Sequence, residues 1–172
     1  MSAPALDRID LAILKALLED ARRSHVELSS CVPLSPTAVA RRLRALEEQG
    51  LIDGYRADLN LARLGLGVTI VVKITLKEQN ADSYAAFEAA VVTRPAVIAC
   101  LFMSGSDDYV LHVKARDMQD YESIHKTQLL TLPGVAHIQS NFVMREVLRR
   151  AAPLSAVSAE RLEASAGPSP LR

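Results

Sequence analysis

Residues 35–50, Ser-Pro-Thr-Ala-Val-Ala-Arg-Arg-Leu-Arg-Ala-Leu-Glu-Glu-Gln-Gly, constrain the fold more than any other part of this chain. Both ends of a helix are marked in it. Ser35 is a favoured N-cap, because its hydroxyl can accept from an orphan backbone N–H. Pro36 falls at the first helical position, where a missing N–H costs nothing. Gly50 can take the left-handed conformation that closes a helix. Between them Val39, Leu43 and Leu46 recur at helical spacing and form one apolar stripe. Thr37, Arg41 and Arg44 fall on the opposite side, with Arg42 at the flank. Such a helix wants a core on one face, and on the other it is shaped and charged to enter a DNA major groove by its N-terminal half.

Taken alone, arginines on an outer helix face are usually just a solvated surface, so the surrounding charge matters. The 172 residues carry no net charge, and the whole-chain basic excess common in nucleic-acid binders is absent. Locally, however, residues 22–44 hold five arginines (22, 23, 41, 42 and 44) against one acid, Glu27, a net of +4. A single basic face of this size should bind weakly, so a dimer or larger assembly is expected to supply the affinity.

The flanking residues extend the pattern. Asp7 and Asp10 put negative charge on the first turn of an earlier helix in which Ile9, Ile13, Ala16 and Leu17 share a face, widened by Leu14 and Leu18. Ser24 with Glu27 has capping-box spacing and starts a short second helix, with Val26, Leu28 and Cys31 expected inward and Pro33 as its stop. Two short helices joined by a tight turn, the second cationic, predict a helix-turn-helix. Beyond it, Leu51, Ile52 and Tyr55 flank the turn pair Asp53-Gly54 and predict a short extended wing.

At this point the residues resemble the Lrp/AsnC, or feast/famine, family of transcriptional regulators. The resemblance lies in Leu6-Asp7-x-x-Asp10-x-x-Ile13-Leu14, Ala21-Arg22-x-Ser24 and Leu34-Ser35-Pro36-Thr37. It continues through Arg42-Leu43-x-x-Leu46-Glu47-x-x-Gly50-x-Ile52-x-Gly54-Tyr55. It implies a winged helix-turn-helix in which Ser35, Pro36, Thr37, Arg41 and Arg44 face double-stranded DNA. Arg22, Ser24 and His25 would lie near phosphates, which position a protein without carrying sequence information. Arg42 could touch a phosphate or pair with Glu47 or Glu48 to brace the domain.

Residues 61–67, with two glycines, form a candidate hinge. From there the pattern predicts a strand over 68–76, a helix over 82–92, strands over 96–103 and 109–115, a helix over 117–130 and a long strand over 135–148. The order βαββαβ is the ferredoxin-like arrangement, so the fold class is α+β: a winged helix-turn-helix over 1–60 and a ferredoxin-like domain over 68–150. One sheet face is left bare and is expected to be apolar and to pair two copies. Residues 151–172, with Pro153, Pro168 and Pro170, are expected to form a mobile tail with a turn of helix around 158–164.

Ser104-Gly105-x-x-Asp108-Tyr109 and Leu132-Pro133-Gly134-Val135 extend the resemblance to this half. It implies dimers, octameric rings and a small effector, commonly an amino acid, bound between dimers. Carried over, the effector residues are Gly105, Ser106, Asp107, Asp108 and Tyr109, with His137, Ile138, Gln139 and Ser140 opposite. The chain departs from the family pattern at Ser106, where many members carry Asp, and at Ile138, where many carry Thr.

Other chemistry is thinly represented. Asp107 and Asp108 are neighbours that point to opposite sides of an extended chain, a poor acid–base pair. His25, His112, His125 and His137 lack metal-ligand spacing, and there is no phosphate loop or nucleophile elbow. No enzyme, cofactor or metal is therefore expected. Cys31 and Cys100 read as buried free thiols in a reducing compartment. No leader peptide and no apolar run near ~20 residues is seen, so a cytoplasmic protein is expected. The alternative is a metabolite-binding module whose N-terminal domain docks protein partners.

Overall fold

The computed structural model describes residues 6–158. They fall into two compact units, residues 6–57 together with 148–158, and Asp58–Val147.

The first unit contains α1 (Arg8–Glu19), α2 (His25–Ser29) and α3 (Pro36–Glu48). Each start is fixed by its own sequence. Asp7 caps α1, accepting from the backbone N–H of Ile9 and Asp10 at 2.8 Å each, while the Asp10 carboxylate accepts from the Asp7 N–H at 3.1 Å. Ser24 and Glu27 form the expected capping box on α2. Ser35 caps α3 by accepting from Ala38 N–H, Pro36 opens the helix and Gly50 closes it at φ 67°. The three helices bury Ile13, Ala16, Leu28, Val32, Val39 and Leu46 in one small core. Val26 and Cys31, expected inward, are exposed. The second helix is a single short turn, and Leu28 and Val32, four apart, are the pair that its inner side accommodates. Leu18 is exposed as well, while Leu11 is buried.

After α3 the chain runs through residues 51–60 without a paired strand, so the expected wing is an extended segment rather than a hairpin. Leu51 and Ile52 pack on the three-helix core. The Tyr55 hydroxyl donates to Glu47 at 2.8 Å, tying the segment to the end of α3. Partial burial, reinforced by that carboxylate, raises the Tyr55 phenol to about 12. At the other end of the chain, the 3-10 turn Leu154–Val157 lies against α1. The helical turn expected around 158–164 lies outside the described residues, apart from Ser158.

The second unit is built from β1 (Val68–Leu76), α4 (Ala81–Val91), β2 (Val97–Phe102), β3 (Tyr109–Ala115), α5 (Met118–Ile124) and β4 (Val135–Phe142). The strands form one antiparallel sheet in the order β2-β3-β1-β4, with β1 at its centre facing β3 and β4. Ile70, Val72, Ile74 and Leu76 alternate inward from β1 and meet Tyr109, Leu111 and Val113 of β3. Phe87 and Val91 of α4 and Tyr121 and Ile124 of α5 cover them. At roughly 1.5–3 kcal/mol for each fully buried large side chain, this layer is the unit's main source of stability.

Four details differ from the sequence pattern. The helix expected over 117–130 passes into a π-helical turn at His125–Leu129, which shifts the phase of the residues in and after it, with Leu129 buried there; Met118, at the start of α5, is exposed. The last strand stops at Phe142 rather than 148. Its partner β1 begins at Val68, and after Val143 donates to the Thr69 carbonyl little of β1 is left to pair with. The open sheet face is not an apolar sheet. Alternation places Lys73, Thr75, His112, Lys114, His137, Gln139 and Asn141 there beside Val71, Val110 and Leu101. Exposed apolar side chains gather instead at the β2 edge, with Ile98, Leu101, Phe102 and Met103, and just after β4, with Val143, Met144 and Val147. Cys100, also expected buried, is exposed on the same edge.

Candidate functional site

The outer face of the first unit is organised by α3. Its apolar stripe turns Val39 and Leu46 into the core, and helical geometry then obliges Thr37, Arg41 and Arg44 to face solvent. Ser35 and Pro36 are exposed at its N-terminus. Neither Arg41 nor Arg44 makes an ion pair or side-chain hydrogen bond to any described residue. Arg22, Ser24 and His25 are exposed at and just before the start of α2. Ser24 is committed to its cap, and its hydroxyl also lies 2.7 Å from Glu27 Oε2.

Two of the five arginines are occupied. Arg23 bonds Glu19 at 3.0 Å. Arg42 does not pair with Glu47 or Glu48; its Nη1 reaches Asp7 Oδ2 at 2.6 Å and Asp10 Oδ1 at 2.7 Å, bridging α3 to the start of α1. Those hydrogen bonds, to Asp10 first and Asp7 second, raise the guanidinium above its ordinary value. The sequence signal for this partnership was present in the Asp-x-x-Asp spacing, but a contact across 32 and 35 residues cannot be read from spacing alone.

In the second unit the residues 105–109 split into two groups. Asp108, 6 % exposed, accepts from Leu76 N–H at 2.7 Å, while its own N–H donates to the Ile74 carbonyl. Tyr109 is buried, stacked on Phe87 with ring centroids 4.4 Å apart, and its hydroxyl donates to Glu88 at 2.8 Å. Burial and that carboxylate drive the phenol well above its ordinary value. Both side chains are therefore spent on fixing the loop to β1 and α4. Asp107 pairs with Lys73 at 3.0 Å, in part exposed to solvent. Gly105 and Ser106 stand fully in the open, Gly105 at φ 156°.

On β4 the four expected residues divide by strand alternation. Ile138 packs against the core and Ser140 meets the Tyr121 hydroxyl under α5, whereas His137 and Gln139 face the open side of the sheet. Since β1 lies between β3 and β4, a single copy does not bring the 105–109 loop and these residues into one cavity by strand pairing. Among the described residues no group of three or more His, Cys, Asp or Glu could hold a metal ion, and no helix is long and apolar enough to cross a membrane.

A three-helix unit with an exposed cationic helix, followed by a four-stranded sheet under two helices, defines a two-part helix-turn-helix regulator. Residues 6–47 match the AsnC-type helix-turn-helix domain, and residues 69–153 match the Lrp/AsnC ligand binding domain. The Bkd operon transcriptional regulator of Pseudomonas aeruginosa is 42% identical over 148 residues, covering 86% of this chain and 97% of that protein. The leucine-responsive regulatory protein of Escherichia coli K12 is 42% identical over 142 residues, covering 83% and 87%. A transcriptional regulator of Neisseria meningitidis, solved as a complex with L-methionine, superposes with a TM-score of 0.83 at 33% identity, covering 89% and 99%. The chain belongs to the Lrp/AsnC family of transcriptional regulators.

Proposed function

We propose that this regulator binds double-stranded DNA through the outer face of α3, with Thr37, Arg41 and Arg44 reading base edges and Arg22, Ser24 and His25 placed at phosphates. The observation that carries this is the contrast within one basic stretch: Arg41 and Arg44 are exposed without side-chain partners among the described residues, while Arg23 and Arg42 are internally bonded. Ser35 and Pro36 start α3, so its N-terminus presents backbone N–H groups and the positive end of the dipole toward the duplex. Arg22, Arg41 and Arg44 are few cations for one copy, so two copies on a palindromic site are part of the reading. Copies pair through the second unit, helped by the apolar β2 edge, and dimers assemble further into an octamer; this regulator works in the cytoplasm, without catalysis.

The effector is a small amino acid. The neisserial relative was solved with L-methionine, and the ligand-binding domain of the family spans residues 69–153 here. Among the loop residues, Gly105, Ser106 and Asp107 are those with exposed or half-exposed surface to offer, and Asp108 and Tyr109 hold them in place. His137 is the exposed histidine of β4, and Ile138 and Ser140 support it from below.

The decisive experiment is a mobility shift with Arg41→Ala and Arg44→Ala on a duplex selected from random sequence by the wild type. Each should lose ~1–3 kcal/mol of specific binding and relax discrimination at one position. Unchanged affinity in both would overturn the assignment of α3. For the effector, a thermal-shift screen of the amino acids should show one or a few stabilising ligands. A flat response would argue for effector-independent regulation.

A further inference from the structure

We propose that Arg42 is a positioning residue for DNA recognition, acting through the start of α1 and not through a phosphate. This rests on the reading that α3 faces the duplex. Arg42 Nη1 lies between two carboxylates, Asp7 Oδ2 at 2.6 Å and Asp10 Oδ1 at 2.7 Å. The other oxygen of each carboxylate closes the reciprocal cap of α1: Asp7 Oδ1 accepts from Ile9 and Asp10, and Asp10 Oδ2 accepts from Asp7. Each acid thus divides its two oxygens between the cap and the arginine.

This arrangement is unusual for a cap, because a reciprocal box built from two aspartates sets two negative charges side by side. The cation between them offsets their repulsion, so the cap and the bridge stabilise each other. Asp10 is 14% exposed, the Arg42 side chain 32% and Asp7 49%, so the Arg42–Asp10 half of the bridge is the better shielded from solvent. Arg42 stands next to Arg41 on α3. Fixing its guanidinium to the first turn of α1 therefore fixes the rotation of α3 about its own axis, and with it the direction in which Arg41 and Arg44 point. Helix–helix contact through Val39 and Leu46 sets the depth of packing but resists axial rotation poorly, since apolar contacts are not directional.

Three variants of the full-length protein test this on a selected duplex and on a random one, at a temperature where circular dichroism shows each to be folded. Arg42→Gln should lose about tenfold in specific affinity, a typical coupling within one network, and keep its affinity for random duplex. Its dependence of log affinity on log salt should match the wild type. A lost phosphate contact would instead lower that slope by ~0.9 per copy. Asp10→Asn is the sharper variant: removing a negative charge close to the basic face tightens binding if charge alone matters, whereas loss of the brace weakens specific binding, by roughly threefold. The proposal is overturned if Asp10→Asn binds more tightly, if Arg42→Gln loses salt slope, or if specific and random binding fall together in proportion to unfolded protein. Arg41→Ala serves as the control: if its affinity is unchanged, and that of Arg44→Ala with it, the reading of α3 itself fails, whatever Arg42 does.

Discussion

The outer face of α3 and the loop at 105–109 are both rich in chemistry, yet the fold treats them in opposite ways. On α3, Thr37, Arg41 and Arg44 have been turned outward, with no side-chain partner among the described residues. In the loop, Asp108 and Tyr109 have been turned inward and bonded to Leu76 and Glu88. A polar group that is bonded inside the chain holds geometry, and one left in solvent is available to something else. Polar residues thus do scaffold work in one unit and surface work in the other, and burial with hydrogen-bond satisfaction is what separates the two.

The contrast breaks most visibly at Asp108. Asp108→Ala strands the Leu76 N–H beneath the sheet and should cost about 1–3 kcal/mol, read as a lower midpoint in denaturant with unchanged slope. Arg41→Ala, by contrast, should leave stability within about 0.5 kcal/mol while weakening DNA binding. If Asp108→Ala left the midpoint alone and abolished only the effector response, the division between scaffold and surface would be wrong. Tyr109→Phe sharpens the point by a smaller step. It keeps the stack on Phe87 and removes only the bond to Glu88, for about 0.5–1.5 kcal/mol. Smaller still is Lys73→Met. Its partner Asp107 is partly solvated, so the pair should contribute under about 1 kcal/mol, a shift that fades in high salt.

How far the fold could be read from the chain follows the same division. The two ends of α3 were legible because Ser35-Pro36 and Gly50 are local signals, and β1 because a β-branched run alternates in burial. The βαββαβ order followed from alternation and helical spacing broken by turn residues. What escaped was non-local or collective. No spacing rule ties Arg42 to Asp7 and Asp10. The length of β4 was set by where β1 begins, not by the hydrophobicity of residues 143–148. The wing depended on a pairing partner that residues 51–60 do not meet. At the loop, Gly-x-x-Asp-Tyr named the residues, but sequence could not say that Asp108 and Tyr109 face inward and are bonded there. The open sheet face was misjudged because its apolar residues were weighed without the lysines and histidines interleaved with them.

The smallest effect concerns acid. Burial works against ionising Asp7, but hydrogen bonds from the Asp10 N–H and from Arg42 outweigh it and hold the carboxyl below its ordinary value of 3.8. A carboxyl whose folded value is depressed contributes stability that is fully present above its unfolded value. That contribution drains away as pH falls through the folded one. The start of α1 should therefore loosen as pH drops below that ordinary value, while neutral and alkaline solutions leave it untouched. Asp7 is about half exposed, 49%, so the change is a modest one. Amide exchange or NMR intensity at Ile9 and Asp10, followed from pH 6 downward, should report it, and Arg42→Gln should move the onset to higher pH. An onset that stayed put in that variant would mean that the backbone cap alone sets the acidity of Asp7, and that the bridge to α3 is electrostatically idle.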